Sequence, residues 1–211
     1  MRRVILFAAA VAIGCTSKHV AKEEDVVDIK HRQPKPDALR KRVAVVDFED
    51  KTEYGRGRLG RGAADIITTY MVECEQFLVV ERMQISKCLD EMKLGSSGIV
   101  DANTAAQVGK ATGAAYVVYG AVTNFGLRAQ SSSFVVGSNK KYVAECTVDV
   151  RVIEVESTII RYAKSGRGTA ERSSTKVLGA GTSSSYDETL AGDSLRAAIA
   201  KMMDKLIDAC P

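Results

Sequence analysis

Residues 41–65 read KRVAVVDFEDKTEYGRGRLGRGAAD, and the meaning of this stretch decides the fold. Val43-Ala44-Val45-Val46-Asp47-Phe48 is a short, nearly continuous apolar run, the pattern of a strand buried on both faces. A polar connection follows from Glu49 to Gly57. From Arg58 onward, Leu59, Ala63, Ile66, Ile67, Tyr70 and Cys74 fall on one stripe of a helix. Gln76 interrupts that stripe and Phe77-Leu78-Val79-Val80 supplies a second strand, so the stretch opens a strand, helix, strand unit.

Toward the C-terminus, Ile85, Cys88, Leu89 and Met92 recur at i, i+3, i+4 and i+7, which predicts a helix with Gly95 as its stop. Asp101 is placed to cap a third helix that turns Ala105 and Val108 inward and closes at Gly113. Ala115 to Val122 is the strongest strand. Tyr142, Ala144, Cys146, Val148, Val150 and Val152 alternate with Glu145, Thr147, Asp149 and Arg151, which predicts a strand with one wet face. A further strand is expected from Ile159 to Ala170. A last helix, capped near Asp193, should bury Leu195, Ala198, Ile199, Met202 and Leu206 and end at Cys210. The order β-α-β-α-α-β-β-β-α predicts an α+β fold, a mixed β-sheet with helices packed on it. Two extended β-hairpins are candidates: Leu127–Val148, turning around Gly137-Ser138-Asn139, and Ile159–Tyr186, with the return arm VLGAGTSSSY.

Toward the N-terminus, Arg2 and Arg3 precede an apolar run of about ten residues, Val4 to Ile13. A bilayer-spanning helix needs roughly 20 such residues, so this run reads as the hydrophobic region of a signal peptide, residues 1–14. Ala12-Ile13-Gly14-Cys15 resembles a bacterial lipobox, with Ala12 where such boxes usually carry Leu, and this makes Cys15 the expected lipidation site. Acyl chains there would each add about 0.8 kcal/mol per buried CH₂, and more than one chain makes an anchor stable. Residues 15–40 are charged, hold Pro34 and Pro36 and show no apolar period, so they are expected to form an extended tether, with 41–211 as the folded domain. Both histidines, His19 and His31, fall in the tether with no metal-ligand spacing beside them. At 211 residues and 45% apolar content, one core is the default; the net charge of +4 becomes 4 − 2 = +2 once Arg2 and Arg3 are removed, too mild to demand nucleic acid.

Gly55-Arg56-Gly57-Arg58-Leu59-Gly60 satisfies G-x-G-x-x-G between a strand and a helix, and Glu81 stands about twenty residues on, as a dinucleotide site would require. In that motif the first glycine comes straight off the strand, whereas here Glu49 to Tyr54 intervene after Phe48. The segment reads better as a loop whose Arg56, Arg58 and Arg61 are solvated or face a neighbouring subunit. G-x-S-x-G, H-E-x-x-H and C-x-x-C are absent, and a Ser-His-Asp site would have no base inside the domain, so no catalytic, cofactor or metal residue is expected. Tyr116, Tyr119 and Phe125 invite an aromatic binding platform but suit a core. Cys74, Cys88, Cys146 and Cys210 permit three pairings in an oxidising compartment, or stay free.

VAVVDFEDKT, a Gly/Ala-led helix, FLVVER at 77–82, AAQVGKATGAAYVVYGAVTNFG at 105–126 and DVRVIEVESTIIRYAKSGRGTA at 149–170 follow one another in an order that resembles the curli production assembly/transport lipoprotein family, CsgG, over roughly residues 41–207. The resemblance implies a non-enzymatic lipoprotein at the periplasmic face of the outer membrane that self-associates into a ring. It also implies two hairpins per subunit, donated to a shared barrel that exports protein. The charges on both alternating faces of 159–172 speak against lipid contact, since each costs roughly 2 to 4 kcal/mol at the bilayer midplane. The domain also resembles the lipoprotein activators of penicillin-binding proteins, LpoB, which would imply a tethered module that binds a cell-wall synthase and has no barrel.

Overall fold

Strand β1 (Lys41–Val45) lies at the heart of a six-stranded mixed sheet, parallel to β3 (Phe77–Val79) on one side and to β4 (Tyr116–Phe134) on the other. The computed structural model describes residues 32–54, 57–92, 101–134, 137–177 and 187–211. From β4 the sheet continues antiparallel through β5 (Gly137–Glu154) to β6 (Ile160–Val177), and β2 (Glu49–Asp50) sits against Ala121 and Val122 of β4. The predicted α+β architecture is therefore the observed one, with helices α1 (Arg58–Glu73), α2 (Arg82–Glu91) and α3 (Ala102–Thr112) between the strands and α4 (Asp187–Asp208) after the last of them, in the expected order.

The alternation of side chains along each strand builds two cores. Val43 and Val45 of β1, Tyr116 and Val118 of β4 and the even-numbered residues of β5 from Cys146 to Val152 face α1 and α4. Ala44 and Val46, with Val117, Tyr119 and Ile153, face α2 and α3. Leu195, Ile199, Met202, Met203 and Leu206 of α4 are all nearly inaccessible. Each such side chain contributes about 1.5–3 kcal/mol on burial, so this helix is the main lid of the larger core.

What lets α4 lie so close is a pair of glycines in β6. A Cβ added to Gly168 would overlap the Ser194 carbonyl oxygen and the Ala198 amide nitrogen, and one at Gly166 would come within 2.6 Å of the Ala198 carbonyl oxygen. Helix ends follow local chemistry. The Asp101 carboxylate accepts from the Thr104 amide at 2.8 Å, and Gly113 ends α3 at φ +66°, a left-handed conformation that glycine adopts without Cβ strain.

The structure corrects several sequence expectations. The strongest strand does not stop at Val122 but runs on into the first arm of the expected hairpin Leu127–Val148, which β5 pairs as far as Phe134. Gly137, Ser138 and Asn139, expected as the turn of the first hairpin, are the opening residues of β5, paired with Phe134, Ser133 and Ser132. Helix α4 starts at Asp187, so Asp193 lies within its second turn and does not cap it. Glu49 and Asp50, expected in a loop, form β2. The end of the expected tether is held to the body: the Gln33 carbonyl accepts from the Gln76 side chain at 2.8 Å, the Lys35 amide donates to the Glu75 carbonyl at 3.2 Å, and Arg32 reaches Asp204 and Asp208 of α4. Gly95 lies outside the described residues, as does the return arm of the second hairpin from residue 178 on, whereas its first residue, Val177, still belongs to β6 and pairs with Gly137.

Candidate functional site

The glycine-rich connection leads into α1, whose first turn presents backbone N–H groups without helical partners. The chain fills this anion position itself. Asp50, held by β2, accepts from the Gly57 amide at 3.1 Å and the Leu59 amide at 3.3 Å, and from the Thr52 hydroxyl and amide. Gly60 is required for packing, since a Cβ there would overlap the Phe48 carbonyl oxygen. Glu81, the acid at the spacing for a ribose hydroxyl, caps α2 by accepting from the Met83 amide at 2.7 Å. Pyrophosphate would have to displace one carboxylate and ribose the other. Gly55 and Arg56 lie outside the described residues.

The aromatic residues do not form a platform. Tyr116 and Tyr119 are both nearly inaccessible and sit on opposite faces of the sheet. Burial pushes both phenols up from their ordinary range. Phe125 is half-buried and stacks against Tyr54 with ring centroids 4.2 Å apart.

Sequence reasoning missed a charge clamp where the parallel strands end. The Arg82 guanidinium, just past β3, pairs with Asp47 just past β1 and with Asp65 on α1. The clamp borders a shallow cleft that Val45, Ala64 and Val79 also line. The signal was present as opposite charges directly after two adjacent strands, a place where open α/β sheets gather functional groups. Here the three charges satisfy one another.

The feature not absorbed by the core is the far half of the β4, β5, β6 ladder. Its face away from α4 carries Arg128, Gln130, Lys141, Glu145, Arg167 and Glu171, with cross-strand ion pairs Lys141–Glu171 at 2.7 Å and Glu145–Arg167 at 3.2 Å. Among the described residues β6 pairs only with β5, so its outer edge is an open row of backbone donors and acceptors. No helix of the described residues is long and apolar enough to cross a membrane, a statement that does not extend to strands. Cys15, the expected lipidation site, lies outside the described residues.

The ladder presents paired charges on one face and an unpaired backbone edge among the described residues. The model of the curli production assembly/transport component CsgG matches residues 22–210. The chain belongs to the CsgG family. A protein of Neisseria meningitidis serogroup B whose name describes it as a lipoprotein is 28% identical to this CsgG-family chain over 217 residues, covering 98% of it and 92% of the relative. Among solved structures, a lipoprotein from Neisseria meningitidis is similar at 14% identity and TM-score 0.47, covering 78% of this chain and 99% of that one. The LpoB C-terminal domain from Escherichia coli is similar at 15% identity and TM-score 0.42, covering 60% and 81%. The PelC dodecamer from Paraburkholderia phytofirmans is similar at 16% identity and TM-score 0.42, covering 82% and 93%.

Proposed function

We propose that this CsgG-family chain is a lipoprotein held by acyl groups on Cys15 at the periplasmic face of the outer membrane. There it acts in protein export or assembly at the cell envelope, through contacts with copies of itself and with a secreted or wall-associated protein. The observation that carries the reading is the family match over residues 22–210, which takes in the whole described body, with the lipobox-like Cys15 just ahead of it. The meningococcal relative, matched over nearly its full length and named as a lipoprotein, supports the anchor. The test is fractionation: Cys15→Ser should move the protein to the soluble periplasmic fraction. Unchanged membrane association would count against the anchor.

The open edge of β6 supports self-association, because an unpaired edge accepts another strand. Whether the assembly is a pore turns on the ladder. Ala144 is fully buried on the α4 side, so the part of β5 that lies beyond this packed end is residues 137–143. A tilted membrane strand takes about 9 to 11 residues. The length and the paired charges favour a body that stays in the periplasm, and the pore form would need α4 to release the ladder. Purification in detergent separates the two: a ring with single-channel conductance supports the pore, and a form without conductance that binds a cell-wall synthase supports the activator reading.

A further inference from the structure

We infer that Cys74 and Cys210 are a disulfide-forming pair that ties the end of α1 to the last residues of the chain, while Cys88 and Cys146 stay unpaired. Three pairings of four cysteines are open to the sequence; the fold removes two of them outright and leaves a single bond of the third. Cys88 sits on α2, on the face of the sheet opposite to the core that contains the other three. The sheet itself stands between them. Cys146 lies in register with Phe125 of β4, whereas the far end of the chain is at the start of that strand, where the Tyr116 hydroxyl donates to the Pro211 carbonyl at 3.4 Å. Nine residues separate Tyr116 from Phe125 (125 − 116), about 30 Å at roughly 3.3 Å per residue, far beyond the ~7 Å limit between bridged Cα atoms.

Cys74 and Cys210 are brought to one level by two helices running side by side in the same direction. A Cβ on Gly62 of α1 would touch Leu195 of α4 at 3.4 Å. From that contact Cys74 is 12 residues on (74 − 62) and Cys210 is 15 on (210 − 195), about 18 and 22 Å at 1.5 Å per residue. Residues 32–35 tie the same two ends. Gln33 and Lys35 bond to Gln76 and Glu75, next to Cys74, while Arg32 bonds Asp208 at 2.6 Å, two residues before Cys210. Both thiols belong to one core and are at most 3% exposed.

Burial raises the Cys74 thiol and pushes that of Cys210 up to about 12, with the charge of nearby Cys74 adding to the rise. Neutral buried thiols do not exchange, so the bond forms while the chain folds. Each sulfur gives up its hydrogen and the two sulfurs join. The two protons and two electrons pass to an external disulfide R–S–S–R, which leaves as two thiols. That this happens in the cell rests on the envelope location proposed above, where such oxidants persist.

The test is refolding of the reduced, full-length Cys15→Ser protein in oxidised and reduced glutathione, followed by alkylation in denaturant and peptide mapping without reductant. A linked Cys74–Cys210 peptide with Cys88 and Cys146 alkylated is the expected result. Four alkylated thiols, or a dominant bond to Cys88 or Cys146, would overturn the inference. Reductant should lower the Tm of the oxidised protein by roughly 5–10 °C and leave Cys210→Ser unmoved. An equal shift in both would also overturn it. Mapping the protein extracted from cells gives the separate reading: linked after refolding but free in cells keeps the pairing and counts against the envelope location.

Discussion

The seat of α4 on β6 gives a sharp quantitative expectation. In an open strand, replacing glycine by alanine stabilises by about 0.5–1 kcal/mol, because the unfolded chain loses freedom it would otherwise have. At Gly168 the new methyl group would meet the backbone of Ser194, Ala197 and Ala198, and backbone cannot rotate away as a side-chain end can. Helix α4 must then lift, loosening the contacts of buried Ala198 and Met202. Overpacking of this kind costs about 1–3 kcal/mol, and against a rigid helix the upper part of that range applies. For a body of this size each kcal/mol moves Tm by about 2–4 °C, so Gly168→Ala should melt roughly 5–10 °C below its parent. Gly126→Ala is the control, because nothing lies within 4 Å of a Cβ there. It should melt at or slightly above the parent temperature. The assay is thermal unfolding by circular dichroism in the Cys15→Ser background. The reasoning about the seat is wrong if Gly168→Ala melts within a degree of the parent, or no lower than Gly126→Ala.

Three further outcomes are expected. Asp50→Ala removes the acceptor for the first amides of α1 and should cost about 1–2 kcal/mol in chemical denaturation, a change below 0.5 kcal/mol contradicting the capping role. Arg32 holds the Asp208 carboxyl below its ordinary value of 3.8 mainly through its hydrogen bond, so the stability this pair adds is full above that value and is lost as pH falls through the lower folded-state value. Asp208→Asn should therefore flatten the dependence of Tm on pH on the acid side of pH 4, and identical acid limbs in the two proteins would refute the linkage. Cys146, fully buried and pushed up to about 12, should resist iodoacetamide at pH 8 in the native protein while half-buried Cys88 reacts, and native labelling of Cys146 would show that this core opens readily.

Much of the fold was legible because its signals are local. The alternation from Tyr142 to Val152 fixes which face of β5 is wet, and Asp101 and Gly113 announce both ends of α3 within a few residues of where they act. What escaped depends on partners distant in sequence. The arm Leu127 to Phe134 was expected as one side of a hairpin, but its residues carry little strand signal of their own, and its continuity with Ala115–Val122 in one strand comes from the register that β5 imposes. A two-residue strand such as β2 has no period to detect. Asp50 reaches Gly57 and Leu59 across a polar connection, so its carboxylate reads as surface charge until the loop is folded back. The SGRGTA segment stood out as part of the family resemblance, but its packing reason appears only with α4 laid over Gly166 and Gly168. Cys15 carries its signal wholly in the sequence.

The strap at Arg32 has a geometric consequence. It docks at the heel of the molecule, beside the ends of α1 and α4, whereas the toe of the ladder is at Phe134, 18 residues along β4 from Tyr116, or about 60 Å. Were Cys15 the acylated residue, as proposed above, the 17 residues from it to Arg32 would reach at most about 60 Å. That reach matches the length of the ladder, so such an anchor would let the body stand on its heel or lie along the lipid with the toe against it. Shortening a leash so anchored would narrow the ways the body can stand at the bilayer, without altering a single contact inside the fold.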